Sequence, residues 1–419
     1  MGIIGRYMIL RRKNKHSVLV ILALVVSVFV LVQCMNNAGK ETEQQVNFAA
    51  YAGSEKCMSC HKDVYDKHLK TAHFLTGQPA TENFITGNFK KDSNSYYYSP
   101  DILVQMQKRD SGLFQVIYYK GEEKMAIRKD IVIGSGVMGQ SFLNWRHNRL
   151  YQMPVTYFTA AAQWSNSPGF PEGKVMTDRP ITSRCLECHV TYAEGTGGDT
   201  LEPVNFNRDK IIYGVGCEKC HGPAAKHVEF QTTNPEVKTA KYVVNPTKLS
   251  RQQQLDVCAV CHGGKMQKTK PSFAFVPGKN LADYFIIDSI NNLSLAGGEV
   301  EMHGNQYGLL RKSKCFTATS TMTCSSCHNI HENERGKTEL FSARCMSCHP
   351  SNSADFKTAT HLLVTGIEKK CINCHMPAQE SRAIAVNLQG EEKPRAALVR
   401  SHFVGMYPDV TKKILNNEK

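Results

Sequence analysis

Hydrophobic and polar positions alternate most regularly between residues 86 and 165. Ile102-Leu-Val-Gln-Met-Gln-Lys108 and Leu113-Phe-Gln-Val-Ile-Tyr-Tyr119 flank Asp110-Ser-Gly112, a pattern that predicts two strands round a tight turn. Ser141-Phe-Leu-Asn-Trp145 and Leu150-Tyr-Gln-Met-Pro-Val-Thr-Tyr-Phe158 flank His147-Asn148 as a second hairpin. The segment is therefore predicted to be a small β-rich module, with Trp145, Tyr151, Tyr157, Phe158 and Trp164 as packing residues. Within it, Gly134-Ser-Gly136-Val-Met-Gly139 matches the glycine spacing of a dinucleotide fold. That fold needs a helix after the glycines and an acidic residue about 20 positions on. Here the next stretch is strand-like and no acidic residue occurs between Asp130 and Glu172, so these are read as turn glycines.

A second pattern stands at the N-terminus. Arg6, Arg11, Arg12, Lys13 and Lys15 precede an apolar run from Val18 to Val32, which reads as an export signal. The run is a little short for a membrane span of about 20 residues, yet it would serve as an uncleaved anchor. Leu31-Val-Gln-Cys34 resembles a lipoprotein cleavage box, with Gln33 where a small residue is usual. Lipidation on Cys34, a membrane anchor and a soluble periplasmic product stay open, and all three place the body outside the cytoplasm. Removing the five basic residues of the leader lowers the net charge from +14 to +9. The basic balance gives no argument for nucleic acid, and none is expected as a partner.

Cysteine supplies the chemistry. Fourteen of the 16 cysteines fall in seven copies of Cys-x-x-Cys-His. The pairs are Cys57/Cys60, Cys185/Cys188, Cys217/Cys220, Cys258/Cys261, Cys324/Cys327, Cys345/Cys348 and Cys371/Cys374, each followed directly by His61, His189, His221, His262, His328, His349 or His375. Two thiols at this spacing match the two vinyl groups of one haem, and the next residue offers an imidazole to its iron. Zinc ribbons have no reason to end every pair in His. A disulfide framework would not force one five-residue unit to recur. Seven covalently attached haems c are expected, each with an axial His from its own motif.

Low-spin electron-transfer haems take a second axial ligand. Outside the motifs the body holds His68, His73, His147, His227, His303, His331, His361 and His402, enough for seven irons. His68 is read as a solvated helix histidine and His147 as a turn residue. That leaves His73, His227, His303, His331, His361 and His402 as candidate distal ligands, with no more than six for seven irons.

Several segments together resemble the multihaem family of cytochrome c-554, to which hydroxylamine-oxidoreductase-like and octahaem cytochromes are related. They are the first motif with Tyr65 and Thr71-Ala-His73, Cys217-Glu-Lys-Cys-His-Gly-Pro223 with His227, Leu150-Tyr-Gln-Met-Pro-Val155, and Cys371-Ile-Asn-Cys-His-Met-Pro377. The likeness spans roughly residues 50–380. It implies distal roles for His73, His227, His331 and His361, each serving a neighbouring haem. The chain departs from the family at Ser313-Lys-Cys315, where relatives often carry Ser-x-His. Cys315 is read as a buried free thiol, with an axial thiolate as the alternative.

The expected fold is mainly α, with short helices and loops wrapped round a haem-filled core and the β-rich module inserted after the first haem. The expected division is 1–33 leader or anchor, 34–52 linker, 53–85 first haem module, 86–165 β-rich insert, 166–280 motifs two to four, 281–380 motifs five to seven, and 381–419 tail. The expected function is electron carriage from a membrane quinol-oxidising complex or another redox partner protein to a terminal reductase or acceptor in anaerobic respiration. No motif histidine is replaced by lysine, as it usually is at the active haem of cytochrome c nitrite reductases. The alternative is an oxidoreductase acting on a small nitrogen or sulfur compound at one open or Cys-ligated haem.

Overall fold

The structure is a computed structural model. It describes residues 47–196, 204–286, 304–353, 356–357, 361 and 365–417, with isolated positions 22, 24, 26 and 27. The leader, Cys34 and His303 thus lie, apart from those four positions, outside the described residues. The chain divides into one unit of residues 1–46 and a second from Asn47 onward. No described helix is long and apolar enough to cross a membrane.

The alternating segment folds as two antiparallel sheets. β2 (Ser95–Ser99), β3 (Ile102–Arg109), β4 (Gly112–Tyr119) and β5 (Glu122–Arg128) form a four-stranded meander. β1 (Gly77–Pro79), β6 (Ile131–Ile133), β7 (Gly139–Arg146), β8 (Arg149–Gln152), β9 (Val155–Phe158), β10 (Gln163–Asn166) and β11 (Arg179–Pro180) form the seven-stranded sheet. Period-2 alternation puts Val104 and Met106 on the inner face of the meander, where they meet Phe142, Val155 and Trp164 of the larger sheet. Gln115, fully buried, joins the sheets as if it were a strand: its amide donates to the Val155 carbonyl at 2.7 Å and accepts from the Val155 N–H at 3.1 Å.

The turn chemistry follows the sequence. Lys120 and Gly121 both have positive φ between β4 and β5, the signature of a tight two-residue hairpin. His147, at φ 52°, turns β7 into β8 and is exposed, so it is a turn residue. The fingerprint-like glycines make the turn between β6 and β7, and a strand follows them instead of a helix.

The expectation of a mainly α fold is overturned. Among the described residues, strand accounts for 26%, in five sheets, against 32% helix. One reason is that the β module is larger than its alternation suggested, running from Gly77 to Pro180. Another is that a Cys-x-x-Cys-His unit needs little more than one helical turn, as at Cys217–His221 and Cys371–His375. A third is that two-stranded ribbons brace the motifs: Tyr192–Thr196 with Asn205–Ile212, and Ala378–Val386 with Arg395–Arg400.

The motif region also builds its own side-chain core. Leu255, Ala259 and Val260 sit on the inner face of the helix Arg251–His262 and pack on Leu281, Tyr284, Phe285, Tyr307 and Phe316. That helix starts at a capping box, with the Ser250 hydroxyl accepting from the Gln253 N–H and the Gln253 side chain accepting from the Ser250 N–H.

Candidate metal centres

Among the described residues, four motif histidines face a histidine from elsewhere in the chain. The centroid separations are 6.1 Å for His262 and His73, 6.1 Å for His221 and His331, 6.2 Å for His328 and His402, and 6.0 Å for His375 and His361. Metal–imidazole bonds are about 2 Å long, and the bonding nitrogen lies outside the ring centroid. Two imidazoles held on opposite sides of one iron therefore stand about 6 Å apart, so these residues fit the group the motifs imply. The His221/His331 and His328/His402 planes are 18° and 23° from parallel, whereas the other two pairs are crossed at 75° and 77°.

Five of these eight rings are oriented through their other nitrogen. Nδ1 of His221 donates to the Val244 carbonyl at 2.8 Å, that of His375 to Gly405 at 2.9 Å, and that of His361 to Phe356 at 2.7 Å. His402 donates to Arg400 at 3.2 Å, and His262 pairs with the Gln306 side-chain oxygen at 3.0 Å. A carbonyl oxygen only accepts, so Nδ1 carries the proton and Nε2 keeps its lone pair for metal. Burial, and then the neighbouring His262, lowers His73 to about 4; burial, and then His328, lowers His402 to about 4. Neutral rings are the form that binds metal.

Local structure explains how the partners arrive. The backbone of His73 is zipped onto the strand leading to the third motif, with the Val215 N–H donating to the His73 carbonyl at 2.9 Å and the Gly214 N–H to Gly77 at 2.6 Å. Gly214 has φ +66°, and a Cβ there would strike the Phe74 carbonyl. His402 follows the strand Arg395–Arg400. Its carbonyl accepts from the Ser313 hydroxyl at 3.2 Å, and that oxygen accepts from the Val404 N–H at 2.8 Å.

The remaining candidates are placed differently. Nδ1 of His227 donates to Lys241 at 2.9 Å, and its ring meets no motif imidazole among the described residues. His189 is hydrogen-bonded through Nδ1 to the Thr76 hydroxyl at 2.9 Å, and His61 and His349 are exposed. His68, read as solvated, is instead buried, and its Nε2 donates to the Val215 carbonyl at 3.0 Å. The helix of His68 packs its last turn onto the third-motif strand, a long-range contact that period alone could not reveal. Cys315 is half-buried on the short helix Lys314–Ala318, near the Cys327 thiol.

Thiols of different motifs lie side by side. Cys57 hydrogen-bonds Cys217 and draws it down to about 7; Cys261 does the same to Cys188, also to about 7; Cys345 lowers Cys371 to about 6. Cys258 and Cys324 form a fourth such pair.

The chain itself does not enclose all of the attachment thiols. Cys60, Cys185, Cys327 and Cys348 are exposed. In each of their motifs the other cysteine (Cys57, Cys188, Cys324 or Cys345) is the one that pairs with a neighbouring motif. Cys348 shows this most plainly. Its N–H bonds the Cys345 carbonyl at 3.1 Å just beyond the helix Thr338–Met346, and its Sγ meets only the Ser347 hydroxyl, at 3.9 Å, among the described contacts. By contrast, burial pushes Cys220 up to about 11 and also raises Cys374.

Carboxylates at or near the motifs weld the junctions. Glu218, 2% exposed, accepts from Ala52, Gly53 and Ala224 N–H at 2.8, 2.9 and 2.8 Å and so ties the first motif to the third. The fifth and sixth motifs meet where Arg344 donates to the Cys327 carbonyl at 2.6 Å and pairs with Glu334. With the imidazole pairs, these contacts connect all seven motifs. The pairing order follows spatial neighbours, and these carboxylates were not singled out from sequence because their partners are distant in the chain.

Attachment motifs, opposed imidazoles and closely spaced junctions form the framework that a c-type cytochrome with several haems would use. Residues 150–222 match the family model described as cytochrome c554 and c-prime. The fold is similar to the crystal structure of outer cell wall cytochrome OcwA, at 18% identity and a TM-score of 0.50, over 88% of this chain and 82% of that one. No curated protein matches the sequence significantly. Together these findings support a multihaem cytochrome c, a class that implies covalently bound haem c and electron transfer.

Proposed function

We propose that the chain is an exported conduit with seven covalently bound haems c, passing electrons from a quinol-oxidising membrane complex or another redox partner protein to a terminal reductase or acceptor. The haem supplies the one-electron Fe(III)/Fe(II) chemistry. The chain's task is to hold each iron with neutral, oriented imidazoles and to keep neighbouring groups in contact. The observation that carries this reading is the set of four opposed imidazole pairs at 6.0–6.2 Å, because a second imidazole closes the position at which a substrate would bind. The proposed pairs are His73 with His262, His331 with His221, His402 with His328 and His361 with His375. His227 and His303 are proposed to serve two of His61, His189 and His349.

The N-terminal run and Cys34 suit export with attachment by a helix or a lipid. The structurally similar OcwA is an outer cell wall cytochrome, which fits an extracytoplasmic site for this chain. Intact-mass measurement of the exported holoprotein tests the reading. Seven haem additions on one chain are expected; fewer than seven would contradict it.

A further inference from the structure

The junction of the second and fourth motifs contains a buried cluster of charges. Glu187, the residue before Cys188, is 2% exposed and lies within 2.7 Å of Arg184 and 3.1 Å of Lys268, which is itself 4% exposed. Its Oε1 also accepts from the Phe273 N–H at 2.7 Å. Arg184 continues to the Val260 carbonyl at 2.9 Å, one residue before Cys261. Lys268 also donates to the Ser272 hydroxyl at 2.8 Å. Cys188 and Cys261, the attachment points of two haems, are themselves in thiol contact here.

Charges in a poorly solvated interior act over longer distances than surface charges. A carboxylate beside a haem favours the ferric iron and a cation favours the ferrous. Two cations against one carboxylate would therefore raise the potential of the nearest haem, and the carboxylate limits that rise. We propose that Glu187 is a positioning residue of this kind: its fixed negative charge, set against Arg184 and Lys268, holds down the reduction potential of the haem attached at Cys185 and Cys188. The proposal rests on the conduit reading above.

The test is a spectropotentiometric titration of the purified holoprotein and three variants, with haem per chain measured alongside. Glu187→Gln should move one component of the titration to higher potential. Lys268→Met should move the same component to lower potential, and Lys268→Arg should leave it in place. A purely structural role would give no shift, or shifts of the same sign in both charge-removing variants, and either result overturns the proposal. If Glu187→Gln incorporates less haem, Lys268→Met against Lys268→Arg decides alone: a downward shift in the first only supports the proposal, and parallel behaviour overturns it. A wild-type chain without covalent haem would overturn the conduit reading itself. A fully loaded one lacking the opposed shifts would overturn this inference alone.

Discussion

The ring of His402 lies nearly parallel to that of His328, with centroids 6.2 Å apart. Ser313 makes this possible by bonding the backbone on both sides of Phe403. Relatives often carry a histidine two residues after this serine; here Cys315 stands there, and the ring opposite His328 comes from the C-terminal segment.

His402→Ala should convert one haem from low-spin to high-spin and create one carbon-monoxide-binding iron, with the other haems unchanged. Ser313→Ala should keep the ligand but cost about 1 kcal/mol and broaden the same signal. Electron paramagnetic resonance and carbon monoxide titration check both. An unchanged spectrum in His402→Ala would remove that residue from the ligand set.

Plane orientation predicts two classes of low-spin signal. Parallel imidazoles donate into one iron dπ orbital and lift its degeneracy, whereas crossed imidazoles raise both orbitals together and leave more orbital angular momentum. His221/His331 and His328/His402 should give the more rhombic signals, and His73/His262 and His361/His375 those with the larger maximum g value. Replacing His361 should remove a signal of the second class.

Glu218 is the bolt between the first and third motifs. Glu218→Ala strips acceptors from three backbone N–H groups, each loss worth about 1–3 kcal/mol. A fall in Tm of several degrees is expected in calorimetry of the holoprotein, together with weaker haem attachment at Cys57 and Cys60.

Lys129 is 3% exposed with no hydrogen-bond partner for Nζ, which lies 4.0, 4.3 and 4.8 Å from the ring centres of Phe142, Trp164 and Phe89. Burial pushes the amine well below the usual lysine range. The rings oppose this by about 0.5–2 kcal/mol each, too little to replace a lost hydration shell. The folded amine gives up its proton at lower pH than the unfolded one, so stability should rise with pH up to about 10.4, the unfolded value, and level off above it. Lys129→Met should raise Tm at pH 7 and flatten that slope. Melting curves at pH 7 and 9 would show it.

The attachment motifs and the β hairpins were legible because both are local: Cys-x-x-Cys-His is five residues long, and alternation such as Val104/Met106 needs only one strand. His73, His331, His361 and His402 were singled out by context, and the fold brings each to a motif histidine. Which motif each would meet was not legible, since it depends on contacts such as Ser313 with His402 and Val215 with His73. The burial of His68, the charge cluster around Glu187 and the inward or outward turn of thiols such as Cys345 and Cys348 were missed for the same reason. Helix was overestimated because haem motifs were taken to imply helical surroundings, although ribbons such as Ala378–Val386 with Arg395–Arg400 brace them equally well.

The central claim is that six of the seven irons are closed by two protein ligands and serve electron transfer. Electron paramagnetic resonance of the oxidised holoprotein, followed by carbon monoxide addition to the reduced form, tests it most directly. Low-spin signals from at least six haems, and carbon monoxide bound at no more than one haem per chain, are the predicted result. High-spin signals and carbon monoxide uptake at two or more irons would contradict it and make those haems candidate sites of substrate chemistry.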